Sequence, residues 1–193
     1  MTETEILKIF KDSGALLEGH YILTSGMHSP QYVEKFRVLE QPKYTEILCK
    51  ELASRFKDKG ITVVVGPMTG GIILAQIVGR ELGTKAIFTE RVDGKMAFRR
   101  GFTISPSDGV LIVEDIITTG GSVQEVIDAI HGFGNESPTI VGIGCLVDRS
   151  SGRAKFEVPL TPLLTMDVVA YKPEECPLCK SGSIAVKPGS TNK

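Results

Sequence analysis

Net charge is almost missing from this chain of 193 residues: 22 basic side chains stand against 23 acidic, with three His. That balance excludes a global field able to recruit nucleic acid or an anionic membrane, so any anion site has to be local. Long apolar runs are missing too. None approaches the roughly 18 residues that a membrane span requires, and the N-terminus, MTETEILKIF, is acidic where a secretion signal is basic and then apolar. The expectation is a soluble, cytoplasmic protein with no nucleic-acid or membrane partner.

Cysteine is scarce. Cys49, Cys145, Cys176 and Cys179 are too few and too irregularly placed for a disulfide framework in a chain long enough to build its own core. Cys49 and Cys145 sit in apolar surroundings and read as core thiols. Cys176 and Cys179 form C-P-L-C, the spacing of a metal knuckle or a redox pair. A structural zinc takes four ligands, and the chain shows no second C-x-x-C and no His pair, so metal binding there would need pairing across subunits.

Two nucleotide signatures are also absent. G-x-G-x-x-G appears nowhere, and Gly142-Ile143-Gly144 lies inside an apolar run. The nearest candidate for a G-x-x-x-x-G-K-[ST] loop, Gly66 to Gly71, continues into Ile72 and Ile73 where Lys and Ser/Thr are needed. Internal repeats and low-complexity segments are missing as well.

What the chain does have is alternation. Thr2 and Glu5 have capping-box spacing, and Ile6, Leu7, Ile9 and Phe10 fall at helical intervals, so a helix is expected to about Leu17. HYILTSGMHSPQYVEKFRVL reads as two strands around a Ser-Gly turn, and Pro42 opens an amphipathic helix that ends by Gly60. ITVVVGP, KAIFTE, VLIVEDI and TIVGIGCLVD then read as buried strands, with GGIILAQIVGRELG and GSVQEVIDAIHGFG as helices. Uninterrupted Val/Ile/Leu strands alternating with helices predict an α/β fold: an open, mostly parallel twisted sheet flanked by helices. In such sheets ligands bind beyond the carboxyl ends of the strands, where GPMTGG, TERVDGKMAFRRGF and EDIITTGGS fall.

EDIITTGGS carries the chemistry. Its turn, Thr118-Thr119-Gly120-Gly121-Ser122, opens a helix; glycines expose backbone N–H groups, hydroxyls donate, and the helix dipole adds about half a positive charge. That is a phosphate cradle. Glu114 and Asp115 just upstream are able to accept hydrogen bonds from sugar hydroxyls, so a sugar phosphate is implied. The plainer alternative is an ordinary strand-to-helix turn beside a solvated acidic pair. TERVDGKMAFRRGF packs Arg91, Lys95, Arg99 and Arg100 around Asp93, which suits closure over a multiply charged pyrophosphate; a solvated basic loop is the alternative. His28, a lone His without an adjacent carboxylate, reads as a structural hydrogen-bonder.

An aliphatic strand, Glu-Asp, two aliphatics and Thr-Thr-Gly-Gly-Ser resembles the phosphoribosyl-pyrophosphate (PRPP) motif of the type I phosphoribosyltransferases. Leu23-Thr24-Ser25-Gly26-Met27-His28-Ser29-Pro30-Gln31-Tyr32, the V-G-P-x-x-G-G turn, and Leu146-Val147-Asp148-Arg149 are similar to the orotate-using branch of that family. The resemblance covers about residues 1–175. It implies one domain over 1–175, with a small N-terminal hood at about 1–40 and a core at about 41–170, followed by a C-terminal arm over 176–193 that is Pro-, Gly- and Lys-rich. It further implies transfer of a 5-phosphoribosyl group from PRPP to N1 of orotate in pyrimidine biosynthesis. Arg91, Glu114, Asp115, Ile116, Ile117, Thr118, Thr119, Gly120, Gly121 and Ser122 would bind PRPP; Ser25, Gly26, Thr118 and Arg149 would bind orotate. Lys95 and Asp115 would be catalytic. Mg2+ would be held mainly by PRPP, with no direct protein ligand assigned, and a homodimer would share its active sites. The chain departs from the family's bacterial pattern at Thr24, at Met68-Thr69-Gly70-Gly71, and in the spacing of the basic loop. A purine-base phosphoribosyltransferase, or a non-catalytic sensor of PRPP or nucleotides, would share the cradle.

Overall fold

A computed structural model describes residues 1–23, 25–133 and 136–188. The helix α1 (Glu3–Asp12) carries the capping box of Thr2 and Glu5. It stops short of Leu17, because the chain turns at Ser13–Gly14 and enters β1 (Leu16–Ile22), which pairs antiparallel with β2 (His28–Val33). The stretch after β2, expected to continue as strand, instead forms the single turn α2 (Phe36–Leu39), burying Val38 and Leu39. Pro42 opens α3 (Pro42–Ser54) at its first turn.

The larger sheet is built from β3 (Val63–Pro67), β4 (Lys85–Val92), β5 (Lys95–Phe98), β6 (Gly109–Ile117), β7 (Thr139–Asp148) and β8 (Leu160–Thr165). Its spatial order is β5-β4-β3-β6-β7-β8, with β4, β3, β6, β7 and β8 parallel and β5 antiparallel at one edge. Both faces are covered, which is why β3 and β6 are apolar along nearly their whole length. Successive residues point to opposite faces: Leu111 and Val113 pack toward α1, α3 and α4 (Gly70–Leu82), whereas Val110 and Ile112 pack toward α5 (Gly121–His131). From β3 the chain winds outward to β4, and from β6 it winds the other way to β7. The turns after β3 and β6 therefore flank the point where the winding reverses, the place where open α/β sheets bind ligands.

TERVDGKMAFRRGF is not the free loop expected of it. Asp93 and Gly94 both have positive φ, 50° and 83°, the backbone of a two-residue hairpin turn matched to strand twist, and Thr89–Val92 pair with Lys95–Phe98. β8 was not expected as a strand at all. It is an edge strand paired with β7 alone, the position in a sheet where a proline such as Pro162 is tolerated.

Candidate active site

The Thr118–Ser122 turn opens α5, the place in the fold that the sequence predicts for it. Gly120 is the N-cap of α5 with φ 84°, and a side chain there would strike Phe156 at 2.8 Å. Only glycine fits that corner. The Gln124 N–H donates to the Gly120 carbonyl, so α5 begins its own hydrogen-bond ladder there, and the Gly121 amide one residue on donates to Thr119 Oγ1 at 3.4 Å. Thr118 and Thr119 are exposed.

These threonines share a cleft of about 790 Å³ with Ser25, Tyr32, Arg149, Ser151 and Arg153. Ser25 and Gly26 form the β1–β2 turn, closed by the Leu23 N–H donating to the Met27 carbonyl at 2.8 Å. Ser25 lines the cleft; Gly26, with φ 81°, shapes the turn. Thr24 of the same motif lies outside the described residues. Arg149 follows β7, and its amide donates to the Ile117 carbonyl at the end of β6, 2.8 Å away. Its guanidinium is half-buried, its Nε is buried without a partner, and burial pulls its pKa below the ordinary arginine value. An arginine so placed is short of an anion.

Glu114 and Asp115 end β6 beneath this cleft but do not line it. The strand alternation sends them to opposite faces. Asp115 is 1% exposed. Its Oδ1 accepts from the Ile116 amide at 2.6 Å and from Lys35 Nζ at 3.0 Å, and the same ammonium lies 2.9 Å from Oδ2. Oδ2 receives no well-directed hydrogen bond despite that proximity, so the contact is an ion pair whose directional bond goes to Oδ1. Gly70 closes the remaining side, since a Cβ there would stand 1.7 Å from Oδ2. Lys35 and Gly70 are the neighbours of Asp115 that the sequence did not reveal. The V-G-P-x-x-G-G run was the available signal for Gly70; nothing local marks Lys35.

Glu114 is also buried, and its carboxyl is pushed up to about 8, first by burial and then by the charge of Asp115. Its Oε1 accepts the Asp115 amide at 3.0 Å. A carboxyl raised in the fold holds a proton that the unfolded chain has released, so native stability is full below the ordinary value of 4.5 and is lost as pH rises through about 8. The ligand-free protein is expected to lose stability across that window with a slope of at most about 1.4 kcal/mol per pH unit. Urea midpoints measured at a series of pH values should show this slope, and Glu114→Gln should flatten it.

The basic hairpin stands apart. Arg91 donates to Glu125 of α5 at 3.0 Å and to the Gly94 carbonyl at 2.5 Å, and Arg100 grips Glu90 through Nε and Nη2 at 2.8 and 3.1 Å. Lys95 is exposed, and among the described residues it has no acidic partner. No hairpin residue lines the cleft described above.

The model of the phosphoribosyl transferase domain matches residues 38–167. An orotate phosphoribosyltransferase of Pelotomaculum thermopropionicum is 53% identical over 190 residues, covering 98% of each chain, and one of Desulforamulus reducens is 50% identical over the same coverage. Among solved structures, an orotate phosphoribosyltransferase of Aeropyrum pernix superposes with a TM-score of 0.65 at 25% identity, over 83% of this chain and 93% of that one. An adenine phosphoribosyltransferase of Rhodothermus marinus, at 22% identity and a TM-score of 0.62 over 84% and 99%, shares the fold.

Proposed function

Given that the chain belongs to the phosphoribosyl transferase family, we propose that it transfers the 5-phosphoribosyl group of PRPP to N1 of orotate, releasing pyrophosphate. The supporting observation is the pairing, in one cleft, of a helix-terminal turn suited to a phosphate with a half-buried arginine that lacks an anion. The Thr118–Ser122 turn takes the 5-phosphate through amides and hydroxyls. Arg149 takes the orotate carboxylate with its guanidinium fork, and Ser25 and Gly26 hold the ring from the β1–β2 turn. The sugar lies between, its hydroxyls turned to the Glu114–Asp115 end of β6.

Charge drives the step. Loss of pyrophosphate leaves a sugar with oxocarbenium character, and N1 of orotate closes on C1 from the opposite face. The side chains of the cleft need only hold the two reactants in line and balance the charges that develop. Among the described residues no carboxylate lines the cleft, whose polar side chains are hydroxyls and arginines. That donor set suits a hard cation carried in on substrate oxygens better than one held by the protein. Magnesium so bound supplies neutralisation of the leaving pyrophosphate.

Lys95 acts on that pyrophosphate. That no hairpin residue lines the cleft of its own chain supports a homodimer in which each hairpin serves the other subunit's site. Phe36, Ile47, Met68 and Ile73, exposed on or beside α2, α3 and α4, support an apolar contact surface for it. The enzyme is read as cytoplasmic; no helix among the described residues is long and apolar enough to cross a membrane.

The test is loss of orotate absorbance with PRPP and magnesium, run beside adenine, hypoxanthine and xanthine with pyrophosphate release as the readout. Turnover of a purine instead of orotate would keep the phosphate turn and remove the base assignment, and PRPP binding without turnover would make the chain a sensor. In the same assay Lys95→Ala is expected to lower kcat by about a hundredfold with little change in either KM.

A further inference from the structure

At the β1–β2 hairpin four metal-type donors converge, none of them lining the cleft. His20 Nε2, His28 Nδ1, Cys176 Sγ and Cys179 Sγ all lie within 4.8 Å of one another, the only such group of three or more found among the described residues. His28 begins β2. His20 sits in a bulge of β1, where Gly19 and His20 stand against Pro30 and the register slips between Glu18 and Tyr21. The extra residue re-aims the His20 ring, and Pro30, lacking an N–H, is suited to the interrupted ladder. The cysteines come from the far end of the chain, where Cys176 caps the short helix α6 (Pro177–Lys180) and Cys179 lies one turn on.

The spacing is that of a coordination tetrahedron. Metal–sulfur bonds of about 2.3 Å and metal–nitrogen bonds of about 2.0–2.1 Å at the tetrahedral angle give edges of roughly 3.6 Å between sulfur and nitrogen and roughly 3.3 Å between nitrogens. The observed sulfur–nitrogen edges are 3.5 Å for Cys176 to His20, and 3.7 and 3.2 Å for Cys179 to His20 and His28. The nitrogens are 2.9 Å apart, close enough for one ring to donate to the other when no ion lies between them. A further contact orients the set: His20 Nδ1 lies 3.1 Å from the Ser183 carbonyl. Donation to that oxygen puts the ring proton on Nδ1 and leaves Nε2 bare toward the sulfurs, the usual outer support of a metal-bound imidazole. His20, His28 and Cys176 are buried. The expectation that C-P-L-C would need a second subunit is thereby corrected, because two histidines of the same chain complete the set.

We propose that His20, His28, Cys176 and Cys179 form a structural zinc site that fastens the C-terminal segment to the β1–β2 hairpin. Two thiolates and two imidazoles in tetrahedral array select zinc over the hard cations, and four protein ligands leave no open position for substrate. Backbone pairing follows the same seam: Tyr171 exchanges both hydrogen bonds with His28 at 2.8 Å, and Val186 pairs with His20 and Ile22 at 2.9 and 2.8 Å. His20 and His28 bracket the turn that carries Ser25, so the metal braces the wall of the cleft without entering it. This last consequence rests on the orotate reading given above.

Zinc content of the full chain, purified without a histidine tag, decides the matter. About one zinc per chain is expected, and cobalt substitution should give the visible absorption and thiolate charge-transfer bands of a tetrahedral site. Cys179→Ser and His28→Ala should lose the metal and melt at lower temperature, while Cys49→Ala keeps it. Stripping zinc from the wild-type chain should raise the orotate KM severalfold with a smaller change in kcat. Since either ligand variant could fold poorly, the wild-type zinc and cobalt measurements stand by themselves. Zinc far below stoichiometry together with no cobalt spectrum would overturn the site, and so would a Cys176–Cys179 disulfide in freshly prepared protein. Stoichiometric zinc in a chain that does not turn over orotate would uphold the site and sink the function.

Discussion

Arg149→Ala raises the orotate KM by about two orders of magnitude while the KM for PRPP stays within about twofold. That is the expected result of initial-rate measurements with each substrate varied in turn. The size follows from where the guanidinium lies. It is half-buried, already penalised by lost hydration, and its Nε has no partner. A carboxylate arriving there meets a cation that has little water to give up, and truncating one member of such a pair costs roughly 2–5 kcal/mol. Arg149→Lys should recover only part of the loss, because an ammonium cannot present two parallel donors. An unchanged orotate KM in the alanine variant would remove Arg149 from the base site. The PRPP constant is the internal control, since the phosphate turn depends on α5 and not on this side chain.

Gly70→Ala lowers stability by about 2–3 kcal/mol and Tm by roughly 5–10 °C, and it abolishes measurable PRPP binding. Helix propensity alone predicts the opposite, because alanine in place of glycine in a helix gains about 1 kcal/mol. Sterics win here. Gly70 is the first residue of α4, and the new methyl would stand 1.7 Å from Asp115 Oδ2 and 3.1 Å from Leu39. Asp115 has little room to retreat: its other oxygen is held by its neighbour's amide at 2.6 Å and by Lys35 at 3.0 Å. Either the carboxylate leaves its ion pair or α4 shifts on β3. Thermal melting and calorimetric titration with PRPP would check both halves, and a variant that melts like the wild type would show that α4 yields more easily than its packing implies.

The parts of this molecule legible in its sequence are those governed by near neighbours. The aliphatic runs of β3, β6 and β7 announced a sheet covered on both faces, and EDIITTGGS announced a turn whose residues stand next to one another. What was missed depends on distance along the chain. Lys35 meets Asp115 across 80 residues, and His20 meets Cys176 across 156; no local periodicity encodes either meeting. The basic hairpin is a different failure, because Asp93-Gly94 is a strong turn signal that the density of charge around it outweighed. α1 ended early for a similar reason: Ala15 and Leu16 continue its apolar pattern but serve the core from the entry into β1. Pro162 hid β8, since proline reads as a strand breaker unless its missing donor faces an unpaired edge.

The seam between the β1–β2 hairpin and residues 171–186 has a consequence for the order of events during synthesis. Chains fold as they emerge, beginning from the N-terminal end. The hairpin therefore leaves the ribosome well before the bridge partners of Tyr21 and His28 and before both cysteine ligands. The sheet and its Thr118–Ser122 turn are able to form while the nascent hairpin still lacks its clasp, so the wall carrying Ser25 is the first part of the cleft to be made and the last to be finished.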